Sequence, residues 1–194
     1  VDMEVRPYII DNFRNNRGVS GAWNEGMNRA LSDGCRYAFI TNDDVVFYAG
    51  SMNSMYETIV KTQAVLVSAN QNNSHSIELD LLEGGADFFC FIVDIPQLLE
   101  YCGRFDQNFT PAYFEDNDMH RRIILSGRKS FIDAKAPVMH HGSATQNANP
   151  SAPVCPPHQF EQNRAYFVRK WGGGPGQEIY QKPFNDDNKT IKDW

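Results

Sequence analysis

The feature that most constrains this chain is the alternation of strand-sized apolar runs with helical patterns through its first half. Tyr37-Ala38-Phe39-Ile40 is an apolar run that stops at Thr41-Asn42-Asp43-Asp44. A helical pattern from Ser20 to Leu31 precedes it, with Ala22, Trp23, Met27 and Ala30 on one face. A second runs from Met52 to Thr62. Ala64 to Ala69 is β-rich, Phe88 to Val93 reads as a strand, and a helix opens near Pro96, where proline suits the first turn. This order predicts an α/β fold with parallel strands and crossover helices. In such sheets ligands bind outside the carboxyl ends of the strands, so residues that follow a strand carry the functional expectation.

The remaining segments extend the same scheme. Tyr8 to Asp11 reads as a short strand. A helix begins at Glu115 or Asp116 and runs through Leu125 to Gly127. Ser130 to Ile132 and Pro137 to His140 read as two short strands, and Gln146 to Pro157 as a loop. Phe160 to Trp171 is a helix closed by a glycine-rich turn, and a polar tail wraps the body. No repeat and no long linker divides the 194 residues, so a single domain over 1–194 is expected. A hydrophobic content of 41% supplies a core, while the apolar stretches are too short for a membrane helix. The net charge of −6 disfavours a broad phosphate-binding face. The local patch Arg121, Arg122, Arg128 and Lys129 reads best as a solvated helix end. Cys35, Cys90, Cys102 and Cys155 form no C-x-x-C pair, which excludes zinc-ribbon spacing. Cys90, inside an apolar run, reads as a buried thiol. This scatter and the absence of an export signal point to a cytoplasmic protein.

Four clusters carry chemistry, each with a plainer alternative. Asn42-Asp43-Asp44 at a strand end suits a hard divalent cation bridging to phosphate oxygens, or a turn with a helix cap. Tyr113-Phe114-Glu115-Asp116-Asn117-Asp118 opens a helix, where a carboxylate serves as general base or simply complements the macrodipole. His140-His141-Gly142-Ser143 ends a strand, and at most one imidazole faces any given site. Asn16-Arg17-Gly18, followed by Asn24-Glu25-Gly26, forms a phosphate cradle at a helix start, or an ordinary turn.

Taken in order, these elements resemble the family 2 glycosyltransferases with the GT-A fold. NRGVSGAWNEGMNRAL is similar to the family's N-x-G…A-x-N-x-G helix, and FITNDDVVF to its D-x-D strand. GGADFFCFIV resembles its acceptor-side glycine strand. GRFDQNFTPAYFEDNDMHRRIILSGRKSFI is similar to its F-D-x-x-F…E-D-x-D…R…G segment, the most specific part. VMHHGS resembles the strand bearing a metal-binding histidine, and NRAYFVRKWG the closing helix.

The resemblance implies a Rossmann-like, GT-A-like sheet that is mixed but mostly parallel and flanked by helices. It places a nucleotide-sugar half at 1–70, an acceptor and catalytic half at 71–172 and a tail at 173–194. It implies an inverting transferase that moves a sugar from a nucleoside diphosphate donor (UDP-, dTDP- or GDP-linked) to an acceptor hydroxyl, with Mn²⁺ or Mg²⁺ as cofactor. Asp44 and His140 would hold the metal, with His141 the alternative to His140. Asp43 would contact ribose or assist the metal, Asp116 would be the general base, and Glu115 would orient it or touch the acceptor. Asn16, Gly18 and Asn24 would line the nucleotide side, and Gly84 and Gly85 would let the backbone approach the donor sugar. The acceptor is open: a glycan, a lipid-linked sugar, a protein or a modified DNA base. Asn42 stands where the D-x-D element has its first Asp. The family also carries two strands ahead of the region matching Tyr8, with an acidic residue that holds the base, for which Asp11 is a candidate substitute. Without those strands the sheet edge at Tyr8–Asp11 would be unpaired and the isolated chain unstable or domain-swapped, and a homodimer is one expected state. Two other classes fit the same residues: a non-catalytic sugar-nucleotide module, and a two-metal phosphoesterase using Asp43, Asp44, His140 and Glu115.

Overall fold

Side chains that alternate along a strand must be covered on both faces if both are apolar, and helices provide that cover here. The computed structural model describes residues 4–12, 16–71, 81–84, 88–142 and 155–194. The elements are α1 (Gly18–Ser32), β1 (Tyr37–Thr41), β2 (Val45–Phe47), α2 (Ser51–Thr62), β3 (Leu66–Gln71), β4 (Leu81–Glu83), β5 (Cys90–Asp94), α3 (Ile95–Tyr101), α4 (Glu115–Leu125), β6 (Ser130–His140) and α5 (Pro157–Trp171). A 3-10 turn at Pro183–Asn185 follows in the tail. One six-stranded sheet has the order β1-β5-β3-β6-β2, with β4 also paired to β6.

The two faces sort by strand parity. Ala38, Ile40, Leu66, Phe91 and Val93 meet α1, α3 and α4 through Met27, Leu98, Met119 and Ile123. Tyr37, Phe39, Val67, Cys90 and Ile92 meet α2 through Met55 and Ile59. Cys90 is buried as expected, and burial pushes its thiol up to about 12. The strands of the two sequence halves interleave in the sheet.

The fold is α/β with a mixed sheet, but not a mostly parallel one. Among the described residues only β3 and β6 pair in parallel, and the other four pairings are antiparallel. β1 and β3 do run the same way, joined across α2 as the alternation implies. The departure comes from β5, which inserts between them antiparallel to both. Two further corrections concern strands. Tyr8–Asp11 carries no strand; residues 4–12 instead lie beside α1, where Arg6 donates to the Asp33 carbonyl at 3.3 Å and the Tyr8 hydroxyl bonds the Asp33 carboxylate. Ile9 there is 87% exposed, and no strand pairs with the run among the described residues. The two short strands expected at 130–132 and 137–140 are one strand, β6, whose pairing with β3 shifts register between Ala69 and Asn70. The loop expected over Gln146–Pro157 lies largely outside the described residues.

A buried charge network locks α4 to α5. Lys170 on α5 contacts Asp106 at 2.8 Å and Asp118 at 2.7 Å. Asp118 also accepts from Arg122 at 2.9 Å and from the Trp171 indole at 2.9 Å. Arg122 donates in addition to the carbonyls of Cys102 and Arg104, both at 2.7 Å. Asp106 accepts from Tyr166 at 2.9 Å and from the Asn108 side chain at 2.7 Å. All four charged side chains are at most 1% exposed. Burial opposes ionisation of Asp118, but Arg122 and Lys170 outweigh it and hold the carboxyl below its usual range. Burial pulls Lys170 the other way, below the usual lysine range. We take the ammonium as charged, because a neutral amine would leave Asp106 without a cation. The tail closes over this network: the Trp194 ring lies 3.6 Å from the Lys170 Nζ, and the Trp194 carbonyl accepts from Arg104 N at 3.1 Å. Gly103, at φ +79°, is required here, since a Cβ would sit 2.8 Å from the Lys192 backbone.

Removing one partner from such a network leaves an uncompensated buried charge. Lys170→Met is expected to lower unfolding free energy by about 3–5 kcal/mol, read from the urea midpoint. A loss below about 1 kcal/mol, the size of an exposed pair, would show that the network does not hold the helices together.

Candidate active site

The order of the strands brings the first acidic cluster to the histidine. β1 and β2 occupy opposite edges of the five-strand path, four places apart, yet only Asn42-Asp43-Asp44 separates them in the chain. In a flat sheet those edges would lie about 19 Å apart at the usual strand spacing. The Cα steps from Thr41 to Val45 reach at most about 14 Å. The sheet therefore coils until its edges approach at this end. The backbone records the crossing: Asn42 N donates to Phe89 O at 2.8 Å on the β5 side, and His141 N donates to Asp44 O at 3.0 Å on the β6 side.

Asp44 and His140 meet as a result. His140 Nε2 lies 3.1 Å from Asp44 Oδ1, with the two side chains only 13% and 15% exposed. Val45 is the register partner of His140, which fixes the approach. The Phe89 ring stacks on the imidazole at 4.5 Å with an interplanar angle of 7°. His141, on the opposite strand parity, is exposed, so His140 is the imidazole that joins Asp44. Asp43 is exposed at the tip of the crossing.

The 3.1 Å contact has the length of a His–Asp hydrogen bond, and two ligands of one divalent ion would lie at a similar spacing. Neighbouring ligands on an octahedron with metal–ligand distances of about 2.1 Å lie about 3.0 Å apart, close to the observed spacing. Among the described residues no group of three or more His, Cys, Asp or Glu side chains converges. The remaining positions would fall to phosphate oxygens and water, the usual pattern for Mg²⁺.

The second acidic cluster opens α4, which packs on the sheet through Met119 and Ile123 and leads by a short turn into β6. Tyr113 and Phe114 lead into α4 with φ of +79° and +76°. The left-handed region costs roughly 1–2 kcal/mol for a residue with a Cβ, so this turn is held by its surroundings. Asn163 donates to Ala112 O at 2.8 Å, Val19 N donates to Pro111 O at 2.8 Å, and the Phe114 ring packs on Phe160 and Phe167.

The turn presents two different carboxyls. Asp116 Oδ1 accepts from Asn117 N at 2.7 Å, and the side chain is half-buried. Glu115 is 7% exposed, and its Oε2 has no hydrogen-bond partner among the described residues. Burial first, then the charge of Asp116, pushes the Glu115 carboxyl up to about 8; backbone amides of Glu115 and Tyr113 offset part of this. At a helix start the macrodipole favours the ionised form of a carboxylate such as Asp116. For Glu115 it loses, because a dipole worth about 0.3–1 kcal/mol cannot balance the several kcal/mol of burying an unpaired charge.

Other expected contacts are engaged elsewhere. Asn24 is buried and clamps the Phe105 backbone, donating to its O at 2.8 Å and accepting from its N at 3.0 Å; it braces the fold and is not open to a nucleotide. Asn16 accepts from Gly18 N at 2.9 Å, and Val19 N is taken by Pro111, so the leading amides of α1 form no open phosphate cradle. Gly18, at φ +72°, is needed because a Cβ would meet Pro111 O at 3.0 Å. Gly84 N donates to Ser130 O at 2.8 Å, at the end of β6 opposite His140, so Gly84 does not join the Asp44–His140 group. Gly85 lies outside the described residues. Sequence reasoning missed Phe89 as the ring beneath the histidine, and missed Asp106, Lys170, Asp118 and Arg122 as one unit. The only signal for the latter was their spacing within the F-D-x-x-F…E-D-x-D…R segment and the closing helix.

No protein-family model matches the chain, and no curated protein matches it.

A raised carboxyl pKa has a defined sign in stability. Glu115 contributes fully below its unfolded value of 4.5, and the contribution is lost as pH rises to about 8. Wild-type stability is expected to fall over that window, by on the order of a few kcal/mol, relative to Glu115→Gln. Parallel pH–stability curves for the two proteins would place Glu115 outside the buried environment described.

Proposed function

We propose that the chain is an inverting, metal-dependent glycosyltransferase that moves a sugar from a nucleoside diphosphate donor to an acceptor hydroxyl. The observation that carries the reading is the Asp44–His140 pair, 3.1 Å apart from positions 96 residues apart (140 less 44) in the chain. Its place at the end where β1 and β6 finish suits a ligand site. A GT-A-like architecture is part of the same proposal and rests on the motif resemblance together with this gathering of residues.

Asp44 and His140 would hold Mn²⁺ or Mg²⁺. When bound, the cation would neutralise charge on the departing diphosphate as a Lewis acid. Asp43, exposed beside it, would contact the donor's ribose or help hold the metal. Asp116, held by the Asn117 amide, would take the proton from the acceptor hydroxyl as its oxygen bonds the anomeric carbon and the diphosphate leaves. One base with no second nucleophilic carboxylate gives direct displacement, hence inversion. The acceptor class remains a glycan, a lipid-linked sugar, a protein or a modified DNA base. No helix among the described residues is long and apolar enough to cross a membrane.

Two variants test the reading. Asp44→Ala is expected to weaken Mn²⁺-dependent binding of UDP or its dTDP and GDP counterparts at least tenfold by calorimetry. Its unfolding free energy should fall by no more than about 1.5 kcal/mol, the worth of the hydrogen bond to His140. Equal affinities with every nucleotide would remove Asp44 from the site. Asp116→Asn is expected to retain donor binding while kcat for transfer from labelled donor falls on the order of 10²–10⁴. Donor binding without any product from the wild-type chain would instead favour the sugar-nucleotide binding module.

A further inference from the structure

We propose, building on the transferase reading, that Glu115 is a positioning residue: as a buried neutral acid it seats the turn that carries Asp116, and its ionisation releases that turn. The argument begins with a contrast inside one helix. α4 opens with two buried carboxyls, Glu115 at 7% and Asp118 at 0% exposure. Asp118 is supplied with Arg122 at 2.8 Å, Lys170 at 2.7 Å and the Trp171 N–H at 2.9 Å. Glu115 has no ion-pair partner among the described residues, and one of its oxygens is buried without a hydrogen bond. A carboxylate removed from water without a cation reverts to its protonated form.

The groups that face Glu115 reinforce this. On its own helix they are Asp116 and Asp118, both acidic. From the segment ahead of α5 comes the Cys155 thiol, whose own ionisation Glu115 disfavours and whose Sγ lies 3.6 Å from Ala112 O. The cations on its own helix and on α5 that pair with carboxylates here, Arg122 and Lys170, are engaged by Asp118 and Asp106. The backbone amides of Glu115 and Tyr113 are the groups that favour the charged form, and they do not outweigh burial.

The location makes the protonation state matter. Glu115 follows two aromatic residues in left-handed conformations, Tyr113 at +79° and Phe114 at +76°, and precedes the base directly. Such a turn persists only while its surroundings hold it. A neutral Glu115 can stay packed beneath it. An ionised Glu115 must reach water, which draws the first residue of α4 outward and moves Asp116 from its place.

The test reads the chain before it reads the reaction. Carbon-13 NMR of glutamate carboxyls, titrated from pH 5 to 10, is expected to show one carboxyl with a midpoint near 8 that is absent from Glu115→Gln. Above that midpoint, amide hydrogen exchange at 113–118 should rise at least tenfold in wild type beyond the rise in Glu115→Gln. A full set of wild-type glutamate midpoints below about 6 overturns the proposal even if the variant fails to fold. Equal exchange in the two proteins overturns it as well. On any donor that gives turnover with Mn²⁺, the wild-type kcat should fall tenfold per pH unit above the midpoint. The Glu115→Gln profile, whatever its height, should lack that limb, and a limb that persists overturns the positioning role. Absence of turnover on every donor is a failure of the transferase reading, while the NMR and exchange results still decide the state of Glu115.

Discussion

The contact between Lys170 and the two carboxylates of Asp106 and Asp118 is the constraint on which the packing of α4 against α5 rests. It joins three separate stretches: the loop after α3, the start of α4 and the end of α5. Arg122 adds the carbonyls of Cys102 and Arg104, so the loop backbone is bound to α4 as well. Two acids and two bases make a locally neutral set, and each is hydrogen-bonded several times. That is the condition under which buried charges are tolerated. The set does not position a ligand. It fixes the helix whose first turn presents Glu115 and Asp116, and the tail with Trp194 keeps water from it.

The second constraint is geometrical. Three residues connect opposite edges of a five-strand path, and a chain that short cannot cross a flat sheet. Coiling of the sheet follows, and so does the meeting of Asp44 with His140. The acidic pair therefore need not reach far for its partner; the strand order delivers it. Phe89, at the start of β5, fills the space beneath the imidazole, so the ring is supported on one face and open to Asp44 at Nε2.

These two constraints divide the acidic residues by environment more than by residue type. Asp118 is buried and paired, and stays ionised. Glu115 is buried with no ion-pair partner among the described residues, and burial raises its pKa. Asp116 and Asp44 are each only partly buried. Neighbouring carboxyls in one helical turn thus take different protonation states, because burial and the supply of cations differ over a few ångströms.

The sequence by itself determined the strands and helices whose patterns are local. Tyr37–Thr41, Ser51–Thr62 and Glu115–Leu125 follow from periodicity and from the residues that stop them, and the strand-end positions of Asp44 and His140 follow with them. The parallel relation of β1 and β3 was also legible, since a helix lies between them. The antiparallel insertion of β5 was not, because pairing partners are chosen by long-range packing and leave no periodic mark. Tyr8–Asp11 failed as a strand for the same reason: an apolar run becomes a strand only where a neighbour accepts its hydrogen bonds. Asn24 and Gly84 carried the right residue types but were drawn into backbone bonds that only the folded chain reveals. The tertiary structure alone decided which histidine joins Asp44, which carboxyls are paired, and that Glu115 is neutral. Those properties depend on distance, burial and the cations within reach, and none of these is written in the order of residues along the chain.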